Sequence, residues 1–315
     1  MFKIFLRHLC LLLALAGWSS AWSAEKVAVV LSERGGVYGE FFDALNASAA
    51  QSPGRKTLYL AGAVASGEKL DSSELEQASL VLAVGAGAAR TLAKMDIGAP
   101  VLTVLVPRQT FDRIAAESGR RSRPGALSAL YLDQPLLRQF HLLRLTLPGK
   151  KRVAALLGPE SSALAGRLRS VAARTGFELQ TEQIAEEAEI IPALNRLLPG
   201  NDVLLALPDG LAFNRNTARP ILLTSYRNQR PLIGFSQAYV TAGALAAVYS
   251  TPAQLARQTA EFLRGLPPGR AILGSPQYPS YFSVQVNRNV ARSLGLEVPD
   301  EVFLREALER LGDGE

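Results

Sequence analysis

Several short stretches of the chain group glycine, hydroxyl, amide, carboxylate and aromatic residues where they could hold a small molecule. Gly85-Ala86-Gly87 ends an aliphatic run and opens a helical pattern. Free backbone N–H groups at such a helix start can take a carboxylate or phosphate, although the same glycines also suit a plain tight turn. Gly158-Pro159-Glu160-Ser161-Ser162 has the same helix-start chemistry, with Ser161 as a hydroxyl partner and Glu160 suited to the helix dipole. Pro208-Asp209-Gly210 can present Asp209 to a ligand amino group, or can simply be a Pro-Asp-Gly turn. Tyr38, Phe213 and Tyr239 offer stacking faces for an aromatic or apolar ligand, or core packing. Ser236 and Gln237 offer hydrogen bonds to a ligand, or local caps.

Other chemistries are excluded by what the chain lacks. Gly234-Phe235-Ser236-Gln237-Ala238 is a degenerate form of a serine-nucleophile turn. Such a serine needs a histidine base later in the chain, and none follows Ser236. The two histidines are His8 and His141, and the lone cysteine is Cys10. His141 falls on a predicted helix, where a satisfied or exposed side chain is expected. With so few general bases, thiols and zinc ligands, the chain reads as a binding protein rather than an enzyme, with no metal and no cofactor. A dinucleotide fingerprint is missing its third glycine and follows the wrong strand. The net charge of +6 is mild, and no basic helix is interleaved with aromatics, so nucleic acid is not an expected partner. Arg120-Arg121-Ser122-Arg123 reads as a solvated loop.

These stretches need a scaffold, and the sequence describes one. Short apolar runs alternate with amphipathic segments: Val27–Leu31, Leu58–Leu60, Leu80–Val84, Val101–Val106, Leu127–Leu132, Val153–Leu157, Val203–Leu207 and Leu232–Phe235. Nearly continuous apolar runs suit strands covered on both faces. Between them, Leu136, Phe140, Leu143 and Leu147 share one helix face. Residues 159–175 and 252–264 open with proline and close at Gly176 and Gly265. The alternation predicts an α/β fold of two doubly wound parallel-sheet lobes joined by a hinge. The expected lobes are 25–132, joined by about 250–280, and 133–249. Residues 281–315 form a C-terminal segment of open assignment. In such sheets ligands sit beyond the carboxyl ends of the strands, which selects the turns 32–38, 85–88, 107–110, 158–162, 208–213 and 236–239.

Residues 1–24 read as a secretory signal. Lys3 and Arg7 precede an apolar run from Leu9 to Gly17, and Ala21-Trp22-Ser23-Ala24 supplies small residues for cleavage. Trp18 stands where a lipoprotein would need cysteine. The expectation is a periplasmic protein without a lipid anchor or stable membrane insertion.

The order of four stretches resembles a known family, the ABC-transporter substrate-binding proteins whose characterised members take up aromatic amino acids, within the type I periplasmic binding-protein superfamily. The stretches are Leu80–Ala89; Gln139–Leu157 with its Leu147-Pro148-Gly149-Lys150-Lys151-Arg152-Val153 turn; Pro231–Ser236 followed by Ala242-Gly243-Ala244-Leu245-Ala246; and Val286–Pro299. The resemblance implies two lobes that close over a solute and then dock on an inner-membrane permease. It also implies chain crossings near 132–136, near 249–252 and once more toward the end. The family often has Thr or Ser where this chain has Ala86-Gly87, and acidic residues where it has Ser236 and Gln237. Both replacements lower the polar capacity of the expected cleft. They motivate an alternative on the same fold, a periplasmic sensory or accessory module that binds a receptor or sensor protein.

Overall fold

A computed structural model describes residues 25–50 and 56–313. The signal reading of residues 1–24 lies outside the described residues. The first half of the chain builds a five-stranded parallel sheet in the order β2-β1-β3-β4-β5. Its strands are β1 (Glu25–Leu31), β2 (Lys56–Ala63), β3 (Leu80–Val84), β4 (Val101–Val106) and β5 (Leu127–Tyr131). They alternate with α1 (Gly36–Ala50), α2 (Ser72–Glu76), α3 (Ala86–Lys94) and α4 (Arg108–Glu117). The central strands β1, β3 and β4 are apolar because both faces are covered. Val27, Val29 and Leu31 point to one core with Phe41 and Leu45 of α1. Ala28 and Val30 point to the other, with Ala88, Leu92, Phe111 and Ile114 of α3 and α4.

The second sheet has six strands in the order β11-β10-β9-β8-β6-β7. These are β6 (Arg152–Leu157), β7 (Glu178–Gln183), β8 (Val203–Leu205), β9 (Leu232–Gly234), β10 (Ala246–Tyr249) and β11 (Ser283–Val286). The helices in this part of the chain are α5 (Leu136–Thr146), α6 (Ala165–Thr175), α7 (Ile190–Leu197), α8 (Arg215–Arg227) and α9 (Gln237–Ala242). Further helices are α10 (Pro252–Gly265), α11 (Arg288–Ser293) and α12 (Glu301–Leu311). Leu and Phe side chains of α5, α6 and α12 cover one face of this sheet, and α7, α8 and α9 cover the other. The doubly wound parallel arrangement predicted from the sequence is present in both lobes, with one exception. β11 pairs antiparallel with β10, because the chain enters this edge from the opposite end.

Two strands escape a search for apolar runs. β7 reads Glu-Leu-Gln-Thr-Glu-Gln and lies at the sheet edge, half in solvent. β10 is short and alanine-rich. The basic run is also only partly solvated. Arg120 is 3% exposed and donates to the carbonyls of Ala99 and Met95, so it ties the end of α4 to the loop before β4.

The chain passes between the sheets three times, and polar side chains tie the three passages together. After β5 it enters α5, whose apolar face belongs to the second core. After β10 it returns as α10, which starts with a Thr251 cap, Pro252 and a reciprocal bond from Gln254. Leu255, Ala256, Ala260 and Leu263 of α10 pack in the same core as Phe41 and Leu45. Gln277 then bridges to the edge strand β5 before the chain enters β11. Gln134 Nε2 donates to Ser250 Oγ at 2.9 Å, and Ser250 Oγ donates to the Tyr281 carbonyl at 2.6 Å. Arg138, 2% exposed, donates to Gln134 Oε1, to the Pro279 carbonyl and to Asp313 of the C-terminal tail, and stacks 4.1 Å over Phe282.

Candidate ligand-binding cleft

The carboxyl ends of β1, β4 and β5 in one sheet and of β9 and β10 in the other converge on a cavity of about 690 Å³. Val37, Tyr38 and Glu40 of α1 and its approach line one wall, with Leu105 and Leu132 at the ends of β4 and β5. Ser236, Gln237, Ala238, Thr241 and Ala242, on α9 and its cap, form the opposite wall, and Tyr249 to Pro252 close the back. Leu105 holds φ +56°, in the left-handed region, at a bulge where the β4–β5 register shifts. A bulge breaks the strict alternation of the strand and re-aims a side chain. Here it gives the cleft an aliphatic wall at a strand end.

A smaller chamber of about 150 Å³ adjoins it and shares Leu132, Ser236, Tyr249 and Ser250. Asp133, Gln134, Gln139, Pro208, Phe235 and Val248 complete its lining. Asp133 Oδ2 accepts the Arg108 backbone N–H at 2.7 Å, while Oδ1 is buried without a partner. Burial pushes the Asp133 carboxyl up to about 7, against the opposing pull of that hydrogen bond and of Arg108. Arg108 in turn donates to the Tyr278 hydroxyl at 2.9 Å, and Arg167 of α6 reaches the same hydroxyl at 3.4 Å from the other lobe.

The residues singled out from the sequence fall into two groups. Tyr38, Ser236 and Gln237 line the large chamber. Ser236 also caps α9, accepting from Tyr239 N at 3.4 Å, so its hydroxyl is shared between cap and cleft. Gly85, Ala86 and Gly87 lie behind Tyr38 rather than in the chamber. Gly85 has φ +88°, and a Cβ there would strike the Tyr38 ring and the Ser32 hydroxyl. Ser32 Oγ accepts from Ala88 N at 3.0 Å. The expected anion site at this helix start is therefore capped from within, because Ser32 supplies the oxygen that a ligand would have brought.

Asp209 does not face a ligand amine. Its Oδ2 accepts from Glu160 N, Ser161 N and Ser161 Oγ, and its Oδ1 from Leu211 N and Ala212 N. With five donors on two oxygens it staples the loop after β6 to the loop after β8. Gly158 is required beside it, since a Cβ there would collide with the carboxylate. Ser161 is fully buried in the same staple. Phe213 is 5% exposed and packs edge-on against Phe235 and Tyr239 at 6.3 and 6.1 Å. It supports the wall from behind. His141 is neither exposed nor satisfied at Nδ1, and burial lowers its pKa.

Leu105, Leu132, Asp133, Gln139, Tyr249 and Ser250 were not anticipated as site residues. The strand-end rule reaches the first three, since each lies at the carboxyl end of β4 or β5. Tyr249 ends β10 and Ser250 follows it, and that strand carries no long aliphatic run to announce it. Among the described residues no cluster of His, Cys, Asp or Glu is arranged to hold a metal, and no helix is long and apolar enough to cross a membrane.

Two parallel-sheet α/β lobes thus face each other across a cleft at their strand ends. Residues 72–310 match the family described as ABC transporter substrate binding protein, and the chain belongs to that family. It is similar in structure to an ABC domain in complex with L-Trp from Streptococcus pneumonia. That match has a TM-score of 0.59 and 16% identity, and covers 89% of this chain and 98% of that one. It is similar to the ligand-free, open form of a substrate-binding protein with adhesive properties from Clostridium difficile, with a TM-score of 0.64 and 18% identity over 88% and 96% of the two chains. A conserved domain protein from Vibrio cholerae gives 0.60 and 18% over 90% and 98%. No curated protein matches the chain.

Proposed function

We propose that this protein captures a small solute with an apolar body between its lobes and delivers it to an inner-membrane ABC permease. The observation that carries this reading is the large chamber, whose lining comes from both lobes and from the segments between them. A cavity of that volume suits a single small organic molecule. Val37, Leu105, Leu132, Ala238, Ala242 and Pro252 give it an apolar surface with the rings of Tyr38 and Tyr249. Ser236, Gln237, Thr241, Ser250 and Thr251 add a few hydroxyl and amide groups, and Glu40 is the one charged residue of the lining.

Contacts made to both walls at once favour a closed form, so ligand shifts the population toward closure. The hinge is assigned to the passages at 132–136, 249–252 and 279–282, with residues 25–131 and 252–277 in one lobe and the remainder in the other. The working location is the periplasm, reached by cleavage of the leader at residues 1–24, and the role is binding without catalysis. The L-Trp complex of a structural neighbour lends support to an aromatic or apolar amino acid as cargo.

Isothermal titration against amino acids, aromatic amines and small organic acids tests this reading, with small-angle scattering on the best binder. The expected result is one-site binding with a fall in the radius of gyration. Absence of binding throughout the set, or binding by sugars alone, contradicts it.

A further inference from the structure

α8 presents an unbalanced positive face to the outside. Its inner side is Thr217, Ile221, Leu222 and Ser225, all buried. Its outer side carries Arg215, Arg219, Leu223 and Arg227 at intervals of four, with Tyr226 beside them, and all five are exposed. Four-residue spacing lays side chains along one stripe of a helix. The helix contains no Asp or Glu. Among the described residues none of the three arginines has an ion-pair partner. Exposed arginines elsewhere are paired: Arg196 with Glu182, Arg257 with Glu261, Arg288 with Glu301 and Arg305 with Glu309.

This charge pattern does not serve the helix itself. Arg215 stands at the first helical position, where the helix dipole disfavours a cation. Arg215 and Arg219 are like charges four apart, which destabilises a helix. The start is held by Asn214, whose side chain accepts from Asn216 N and Thr217 N. Its amide donates to Glu187, so that carboxylate serves the cap rather than Arg215. Asn228, Gln229 and Arg230 follow the helix and bring no negative charge. An external anion is what balances the stripe.

The shape of the face selects the carrier of that anion. Arg215 to Arg227 spans about 18 Å of axis on a helix about 10 Å wide. That footprint of about 200 Å² is a quarter of the roughly 800 Å² that a protein partner buries in a stable interface. A layer of lipid headgroups needs no complementary surface. It offers phosphates along the whole stripe, and guanidinium groups bind phosphate through paired N–H donors. Leu223 and Tyr226, each 45% exposed, can settle among the headgroups beside them.

We propose that the outer face of α8 docks reversibly on an anionic phospholipid surface, through Arg215, Arg219 and Arg227 with Leu223 and Tyr226 between the headgroups. Residues of α8 line neither chamber, so docking leaves the cleft open and the proposal does not depend on the solute-capture reading. Each arginine near such a surface strengthens binding about fivefold, so the three together give about 100-fold.

Co-sedimentation with vesicles of phosphatidylglycerol and phosphatidylcholine, against phosphatidylcholine alone, tests this. The protein is used without residues 1–24, whose apolar run would bind vesicles by itself. Both cores lie within the residues that remain. The expected result is about 100-fold stronger binding to the anionic vesicles, lost at about 1 M salt. Arg215→Gln, Arg219→Gln and Arg227→Gln together bring it to the neutral level. Arg113→Gln, Arg264→Gln and Arg310→Gln, exposed positions on other helices with the same loss of charge, leave it in place. Trp18 and Trp22 are the chain's two tryptophans and both are removed, so Leu223→Trp reports from the face alone. Its emission shifts to the blue on anionic vesicles. Equal binding to neutral vesicles, equal loss in the two triple variants, or unmoved emission from sedimented protein overturns the proposal. So does binding of poly-glutamate where the anionic vesicles do not bind, which assigns the stripe to an acidic protein instead.

Discussion

Between pH 4 and pH 7 the folded protein holds a proton on Asp133 that the unfolded chain has released, because burial raises this carboxyl from its ordinary 3.8 to about 7. The unfolded state then binds fewer protons, so this group makes stability fall as pH rises through that window. Asp202, Glu301 and Glu76 act in the other direction, since hydrogen bonds to backbone N–H and to arginine outweigh burial and lower their pKa. Their contribution is lost only as the pH falls below the ordinary carboxylate range. Asp133→Asn is therefore expected to change stability far less at pH 4.5 than at pH 8, where it raises the melting temperature of ligand-free protein. Calorimetry at the two pH values reads the difference. Gly158→Ala acts at the same scale through sterics. A methyl group there meets the Asp209 carboxylate, which already accepts five hydrogen bonds. The expected loss is about 2–4 kcal/mol, read as a lower urea midpoint.

Helix starts decide how the elements meet the cleft. Thr251 accepts from Gln254 N at 3.2 Å and Gln254 returns a bond to Thr251 N at 2.9 Å. This box begins α10 where the chain leaves the cleft. Thr251→Ala is expected to cost about 1 kcal/mol, measured by urea denaturation without ligand. Elements with strong local signals were legible from the sequence: aliphatic β1, β3 and β4, the apolar stripe of α5, and the proline start of α10. The polar edge strand β7 and the alanine-rich β10 were not, because both get their order from a neighbouring strand rather than from their own composition. The candidate site divides in the same way. Tyr38, Ser236 and Gln237 could be selected because they follow recognisable strand ends. Asp209 and Ser161 looked equally available, but their hydrogen bonds are spent between loops far apart in the chain, from Gly158 to Ala212. Ser32 takes over the helix start at Ala88 from a distance of 56 residues. Asp133 and Gln139 show the reverse case, where ordinary positions in the sequence become unusual only when the lobes bury them.

At the scale of the molecule, the three passages between lobes share one buried polar network centred on Arg138. Its guanidinium reaches Gln134 in the first passage, Pro279 in the third and Asp313 beyond α12. Gln134 links the same network to Ser250 in the second passage. Arg138→Ala strips the donor from Gln134 Oε1 and from the Pro279 carbonyl, and a buried acceptor left without a donor costs about 1–3 kcal/mol, so the expected cost is about 2–4 kcal/mol. Asp313 is 41% exposed, and Asp313→Ala should cost less. Unfolding both variants in urea gives the order. The central claim is that the cavity between the lobes is where solute is held, and a blocked cleft tests it most directly. Ala238 is exposed on the chamber wall, so Ala238→Trp fills the space without entering either core. In a thermal-shift screen of amino acids, amines and organic acids, at least one solute should raise the wild-type melting temperature with concentration and leave Ala238→Trp unmoved. Equal shifts in both proteins, or no shift of the wild type by any solute, would contradict the claim.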